Sequence, residues 1–238
     1  MANWITHLRI ADEVLRLVPE LDRTGFCMGS IAPDCNVENE DWTQFTPPRE
    51  ITHWMTGASK LTADHEGFWN KQILGRTFAS AEERSFYLGY YAHLAADAGF
   101  TRFLLDEQRV CAMWRRIRAV PALAERTQGL PDTYDSVRKV FSRHERMADI
   151  CALESEYLHS HPDTCYLTVL PCVAHFPDYL DFLPPGAIIR KIGVMGGIPP
   201  VTDHPPRQVF VTRSETDEWT QNISAALAER ISEYFLRI

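Results

Sequence analysis

At 238 residues, with 45% hydrophobic, 24% charged and 11% aromatic side chains, the chain has an ordinary soluble globular composition and is long enough for one sizeable core. Its formal net charge of −8 argues against a surface that coats nucleic acid, and the local run Arg115, Arg116 and Arg118 reads as one solvated helix face. No window has the apolar length of a membrane span, no secretory signal opens the chain and the six cysteines show no CxxC spacing, so a reduced, cytoplasmic protein with one domain over 1–238 is expected.

The first helix is predicted from near Thr6, with Ile10, Val14, Leu17 and Val18 inward until Pro19 approaches. His7 sits near its start, as a capping residue or a ligand. Between Gly25 and Trp42, Gly29 and Pro33 break regular structure, and Pro33 biases Ala32 away from helix. Asp34 is thereby displayed beyond a forced bend, either as a cap or turn residue or as a functional carboxylate. Cys35, next to it, is the exception among cysteines otherwise read as small core residues. The following loop holds Trp42 and Phe45, and Pro48 is a start signal for the segment REITHW, which presents His53 beside Trp54. From Gly57 to Ser80, Phe68, Trp69, Ile73, Leu74 and Phe78 have helical spacing, and the cluster Asp64, His65, Glu66 reads as an N-terminal cap.

The stretch Arg84 to Phe103, RSFYLGYYAHLAADAGFTRF, organises the chain. Phe86, Tyr90, His93, Leu94, Asp97 and Phe100 fall on one helical face. A carboxylate on such an apolar stripe is costly unless it is paired, hydrogen-bonded or coordinating a cation, and no Lys or Arg lies one turn away on that face. His93 and Asp97, at i and i+4, are spaced either to hold one metal ion or to hydrogen-bond inside a helical core.

Beyond it, Val110 to Arg118 reads as a helix and Tyr134 to Leu158 as one long helix or two. Val137, Val140, Phe141, His144, Met147, Ala148, Cys151 and Tyr157 form the inward stripe, with at least one of Asp149 and Glu154 solvated. The region 162–206 holds nine of the 15 prolines and predicts an ordered, irregular excursion without long helices. His159, His161, His175 and His204, in or beside it, receive no role. Ser214 and Asp217 signal the start of a closing helix that carries Trp219, Ile223, Leu227 and Ile231 at four-residue steps. No alternating strand pair, phosphate-binding glycine loop or nucleophile elbow is found, so the expected class is all-α.

His7, Asp34, His53, His93 and Asp97 thus come from four separate segments. Histidine and carboxylate without thiolate is the ligand set of hydrolytic zinc sites, and also of manganese or iron sites. The segments WITHLRIADEVL, MGSIAPD, EITHW and FYLGYYAHLAAD, followed by the long C-terminal amphipathic helix, resemble the zinc-dependent phospholipase C family, which is similar in fold to the fungal single-strand nucleases.

The resemblance covers the first 105 residues or so and the last helix. It implies a multi-helix bundle with a metal cluster at the bottom of a cleft: Asp34, His53, His93 and Asp97 around one zinc, and His7 with a shared Asp97 contributing to a second. It also implies hydrolysis of a phosphate ester or a phospholipid-derived substrate by a metal-activated water, with Asp34 as the alternative orienting or general base. Trp42, Phe45, Trp54 and Tyr90 become candidate substrate walls, or plain core.

Three departures stand out. Secreted members use a processed N-terminal tryptophan as a ligand, whereas Trp4 here follows three residues, and Phe103 stands where they carry a further histidine. A later His-x-x-x-Glu pair has no clear counterpart either, with His144, Asp149 or Glu154 on the long helix as substitutes. The competing expectation is therefore a protein that keeps metal to pin its helices and turns nothing over.

Overall fold

A computed structural model describes residues 3–199 and 206–237, and among them the fold is all-α, with almost no strand. The helices run in the order α1 (Trp4–Leu17), α2 (Arg23–Ile31), α3 (Arg49–Thr52), α4 (His65–Phe68), α5 (Ala81–Leu105) and α6 (Glu107–Ala119). There follow α7 (Pro121–Arg126), α8 (Tyr134–Val140), α9 (Arg143–Ser160), α10 (Cys165–Thr168), α11 (Ala187–Met195) and α12 (Arg213–Phe235). Two two-residue strands, β1 (Val37–Glu38) and β2 (Phe45–Thr46), pair antiparallel, with Val37 opposite Thr46 and Glu38 opposite Phe45.

Short polar side chains set most helix starts. Asp22, Ser80, Asp106 and Thr133 each accept the backbone N–H three residues on, satisfying a donor that the first turn leaves open. Ser142 with Glu145 and Thr212 with Glu215 form reciprocal capping boxes. The first box divides the Tyr134 to Leu158 segment into two helices. The second starts α12 two residues before the Ser214–Asp217 signal, and Asp217 pairs instead with Arg9 at 2.7 Å.

The main core lies between α1, α2, α5 and α12, and its tightest crossing is that of α2 on α5. Glycine makes that crossing possible. A Cβ on Gly29 would stand 2.0 Å from the Phe86 carbonyl oxygen, and one on Gly89 would stand 2.2 Å from that of Phe26. The two backbones therefore touch, and α2 presents its C-terminal carbonyls to the middle of α5. A second cluster gathers Trp114, Ile117, Val137 and Phe141 from α6 and α8 with Val209 and Phe210.

Several expectations are corrected. Leu17 ends α1 at 52% exposure, where the chain turns away from the core towards Pro19, and Trp4, Leu8 and Ala11 supply the buried face with Ile10 and Val14. On α9, His144, Ala148 and Cys151 are exposed, while both Asp149 and Glu154 are buried. The rotation follows the partners: Asp149 accepts the N–H groups of Gln208 and Phe210 at 2.7 and 2.8 Å, and Glu154 accepts from Asn3 at 2.7 Å and from the Thr6 hydroxyl. Cys111 and Cys172 are exposed as well, leaving Cys27, Cys35 and Cys165 as the buried thiols. Leu74 is exposed, just past the end of the helical run at Ile73.

Within 162–206 the nine residues of α11 form a regular helix, because the chain from Ala187 to Met195 contains no proline. His204 lies outside the described residues.

Candidate metal centre

The local sequence explains how each converging side chain is aimed. Pro33 brings no N–H to the end of α2, and the Ser30 carbonyl, left open there, accepts the Nδ1–H of His93 at 2.8 Å. Asp34 closes a single 3₁₀ turn, Ala32–Asp34, at that same bend. His53 ends the short helix that Pro48 starts. Its Nδ1 lies 3.2 Å from the Arg49 carbonyl and 2.9 Å from the Thr52 hydroxyl. The Tyr90 hydroxyl donates to the Thr52 carbonyl and ties this helix end to α5. His7, on the first turn of α1, stacks on His93 with ring centroids 3.8 Å apart and 9° between planes.

All five predicted residues meet here. Asp97 Oδ2 is 3.3 Å from His93 Nε2 and 3.6 Å from His53 Nε2, and its Oδ1 is 3.7 Å from His7 Nε2. Asp34 Oδ1 is 3.1 Å from His53 Nε2. Atoms of His7, Asp34 and His93 lie within 4.8 Å of one another, as do atoms of His53, His93 and Asp97. That is a reach one ion can span.

The hydrogen bonds decide what this cluster needs. A carbonyl can only accept, so the 2.8 Å contact to Ser30 fixes the proton of neutral His93 on Nδ1 and leaves Nε2 as a lone pair. That lone pair faces a carboxylate, which also only accepts. Among the described residues, His93 Nε2, His7 Nε2 and Asp97 Oδ1 are buried with no hydrogen-bond partner. Acceptors turned towards acceptors in a dry site require a cation, and imidazole Nε2 with carboxylate oxygen is a donor set that suits zinc. The His93 Nδ1 contact to Ser30 fits the same picture, since a metal-binding histidine usually donates its other N–H to a backbone carbonyl, and His53 Nδ1 lies near the Arg49 carbonyl.

Electrostatics agree. Burial, with the neighbouring His93 ring, lowers the His7 pKa to about 4 against the pull of Asp97 and Asp34, which keeps the ring neutral. His53 is also pushed down, first by burial and then by Lys60. Burial works to raise Asp97 and Asp34, but Lys60 and the surrounding histidines outweigh it and hold both well below the usual carboxylate range.

Lys60 is the residue that sequence reasoning missed. Its ammonium pairs with Asp97 Oδ2 and lies 3.9 Å from Asp34 Oδ1, reaching in from a separate 3₁₀ turn, Lys60–Thr62. Nothing in the local pattern marks it, because its partner is 37 positions away and the intervening segments are irregular.

The four aromatic candidates separate. Tyr90 is fully buried, stacked on Phe68 and bonded to Thr52, so it positions His53 and has no surface to offer a substrate. Trp54 meets Phe68 edge-on and lines a surface cavity of about 440 Å³ with Ile51, Gln72, Arg76, Tyr179 and Phe182. Trp42, 48% exposed, and Phe45 stand around the buried ammonium of Lys191 at 5.2 and 5.8 Å, where Lys191 also pairs with Glu38. His144 and Asp149 do not join the cluster. Glu154 does not either, being occupied by Thr6 and Asn3.

Residues 6–100 match the family model for zinc dependent phospholipase C. The matched segment opens one residue before His7 and closes three after Asp97, so it contains every converging side chain. The match covers less than half of the chain and makes this segment similar to the zinc-dependent phospholipase C family. No curated protein and no solved structure matches the chain. No helix of the described residues is long and apolar enough to cross a membrane.

Proposed function

We propose that the protein is a zinc-dependent hydrolase of phosphate esters, with a phospholipid-derived or other small phosphodiester as substrate. The observation that carries this reading is the buried Nε2 lone pair of His93 facing Asp97, with His7 Nε2 and Asp97 Oδ1 unpartnered beside it, a set that a divalent cation satisfies. His93, His53, Asp34 and Asp97 would hold one ion, and His7, facing the other oxygen of Asp97, would contribute to a second. When bound, zinc supplies Lewis acidity towards a phosphoryl oxygen and lowers the pKa of water.

The chain's own residues do the rest. The Ser30 carbonyl keeps the proton of neutral His93 on Nδ1, so that ring offers Nε2, while His53 Nε2 lies 3.1 Å from Asp34 Oδ1. Asp97 turns one oxygen to each side. Asp34, the most accessible of the five, is placed to orient the attacking water or take its proton. Trp42 and Phe45, on the hairpin that follows Asp34, remain the aromatics proposed to border a substrate. A non-catalytic metal protein is the second reading, and Phe103, standing where secreted members carry a further histidine, is what favours it.

The test is hydrolysis of a chromogenic phosphodiester by chelator-treated protein with and without added zinc, repeated with Asp97→Asn. Zinc-dependent turnover in wild type that is lost in Asp97→Asn, with helical content retained, is the expected result. Equal activity of the variant would reject the assignment, and zinc binding without turnover would select the second reading.

A further inference from the structure

Asp97 lies almost wholly out of solvent, yet among the described residues the cation in contact with it is a side chain of the protein itself. Lys60 carries its ammonium to Asp97 Oδ2 and to within 3.9 Å of Asp34 Oδ1, with its own side chain 13% exposed. These are two of the carboxylates that the proposed function assigns to metal. The oxygen that faces Lys60, Oδ2, is also the one nearest His93 and His53. A divalent ion bound through that oxygen and the two Nε2 atoms would sit against the ammonium, and two cations in one poorly hydrated pocket repel strongly.

The turn that carries Lys60 lies beside solvent. It is a three-residue 3₁₀ turn whose Ser59 cap and Met55–Ala63 bridge hold the backbone from outside the cluster, and the neighbouring Ala58 and Ser59 are exposed. A long, unbranched side chain on such a rim can reach solvent by rotation alone, with no change in α5. Met55, Thr56 and Thr62 hold the turn through backbone contacts that do not involve the ammonium.

Resting on the zinc reading, we propose that Lys60 is a built-in competitor of the metal: its ammonium neutralises Asp97 and Asp34 in the metal-free protein and must be displaced for zinc to bind. The lysine lets the apo protein fold around two buried carboxylates, and it sets the zinc concentration at which the site loads. Affinity is reduced by the fraction of molecules in which the carboxylates are free.

The experiment measures zinc affinity by chelator competition for wild type, Lys60→Gln and Lys60→Arg, and in parallel follows acylation of Lys60 in wild type by mass spectrometry. Lys60→Gln is expected to bind zinc about tenfold more tightly or better, because the site is no longer occupied. Lys60→Arg, which keeps a cation, is expected not to gain. In wild type, Lys60 should react slowly without zinc and faster with it, a readout that depends on no variant folding. Affinity of Lys60→Gln equal to or below wild type would overturn the competition, as would labelling of Lys60 that zinc leaves unchanged while zinc binds. Failure of all three proteins to bind zinc would overturn the zinc reading itself, and the competition with it.

Discussion

Asp97 Oδ2 lies 3.3 Å from the Nε2 of His93 one turn earlier on the same helix, and no hydrogen joins them, because the proton of that imidazole is committed to the Ser30 carbonyl. The pair is therefore not the ordinary buried His–Asp hydrogen bond that its spacing also allowed. Its geometry derives from the crossing of α2 on α5, which delivers the Ser30 carbonyl to His93.

That crossing can be tested at a distance from the cluster. Gly89→Ala inserts a methyl group 2.2 Å from the Phe26 carbonyl oxygen, and neither backbone can yield without separating the helices. Overpacking of this kind costs about 1–3 kcal/mol and occasionally more. Thermal denaturation should show the loss, and zinc binding should weaken in the fraction that stays folded, since the Ser30 carbonyl moves away from His93. A variant as stable as wild type would mean that the close approach of α2 and α5 is wrong.

Asp149 gives the opposite outcome. Its carboxylate accepts the backbone N–H groups of Gln208 and Phe210, so Asp149→Ala strands two donors at a cost of about 1–3 kcal/mol each. The expected result is a lowered melting temperature with unchanged metal content per folded chain. Loss of metal in this variant would place Asp149 in the ligand set after all.

The pH dependence of the metal-free protein has a definite sign. His7 titrates at about 4 in the folded state, chiefly because it is buried, and at the ordinary value of 6.5 when unfolded. As pH falls below 6.5 the unfolded chain takes up the proton first, so stability is complete above 6.5 and declines as pH approaches 4. The slope from this one group is at most about 1.4 kcal/mol per pH unit. Melting curves of chelated wild type and His7→Gln between pH 7 and pH 4 should converge on acidification, with the wild type falling more steeply. Parallel profiles would show that His7 is not held neutral.

How much of this was legible depends on how far apart the partners lie. His93 and Asp97 share one helix, so helical period alone put both on the core face of α5, and Pro48 marked the start of the short helix that ends on His53, whereas Gly29 lies inside α2, Ala32 before Pro33 stays helical, and Asp34 closes the 3₁₀ turn that follows. The family resemblance then joined segments that periodicity could not. Lys60 was illegible because its pairing spans 37 positions and leaves no trace in the local pattern. At least one of Asp149 and Glu154 was expected to be solvated, because their partners, Asn3, Thr6 and the backbone after Arg207, lie across the fold. The inward face of α9 carries Ile150, Leu153 and Leu158 together with the paired Asp149 and Glu154. The helix α11 was hidden by the surrounding prolines, although its own nine residues carry none.

The most direct measurement is the zinc content per chain, by elemental analysis, of wild type and His93→Ala after zinc loading and removal of excess. The account predicts one or two equivalents in wild type, lost or reduced in His93→Ala while circular dichroism shows the helices intact. A wild type that retains no metal when zinc or manganese is supplied would contradict it, and would leave Lys60 as the permanent counter-ion of Asp97.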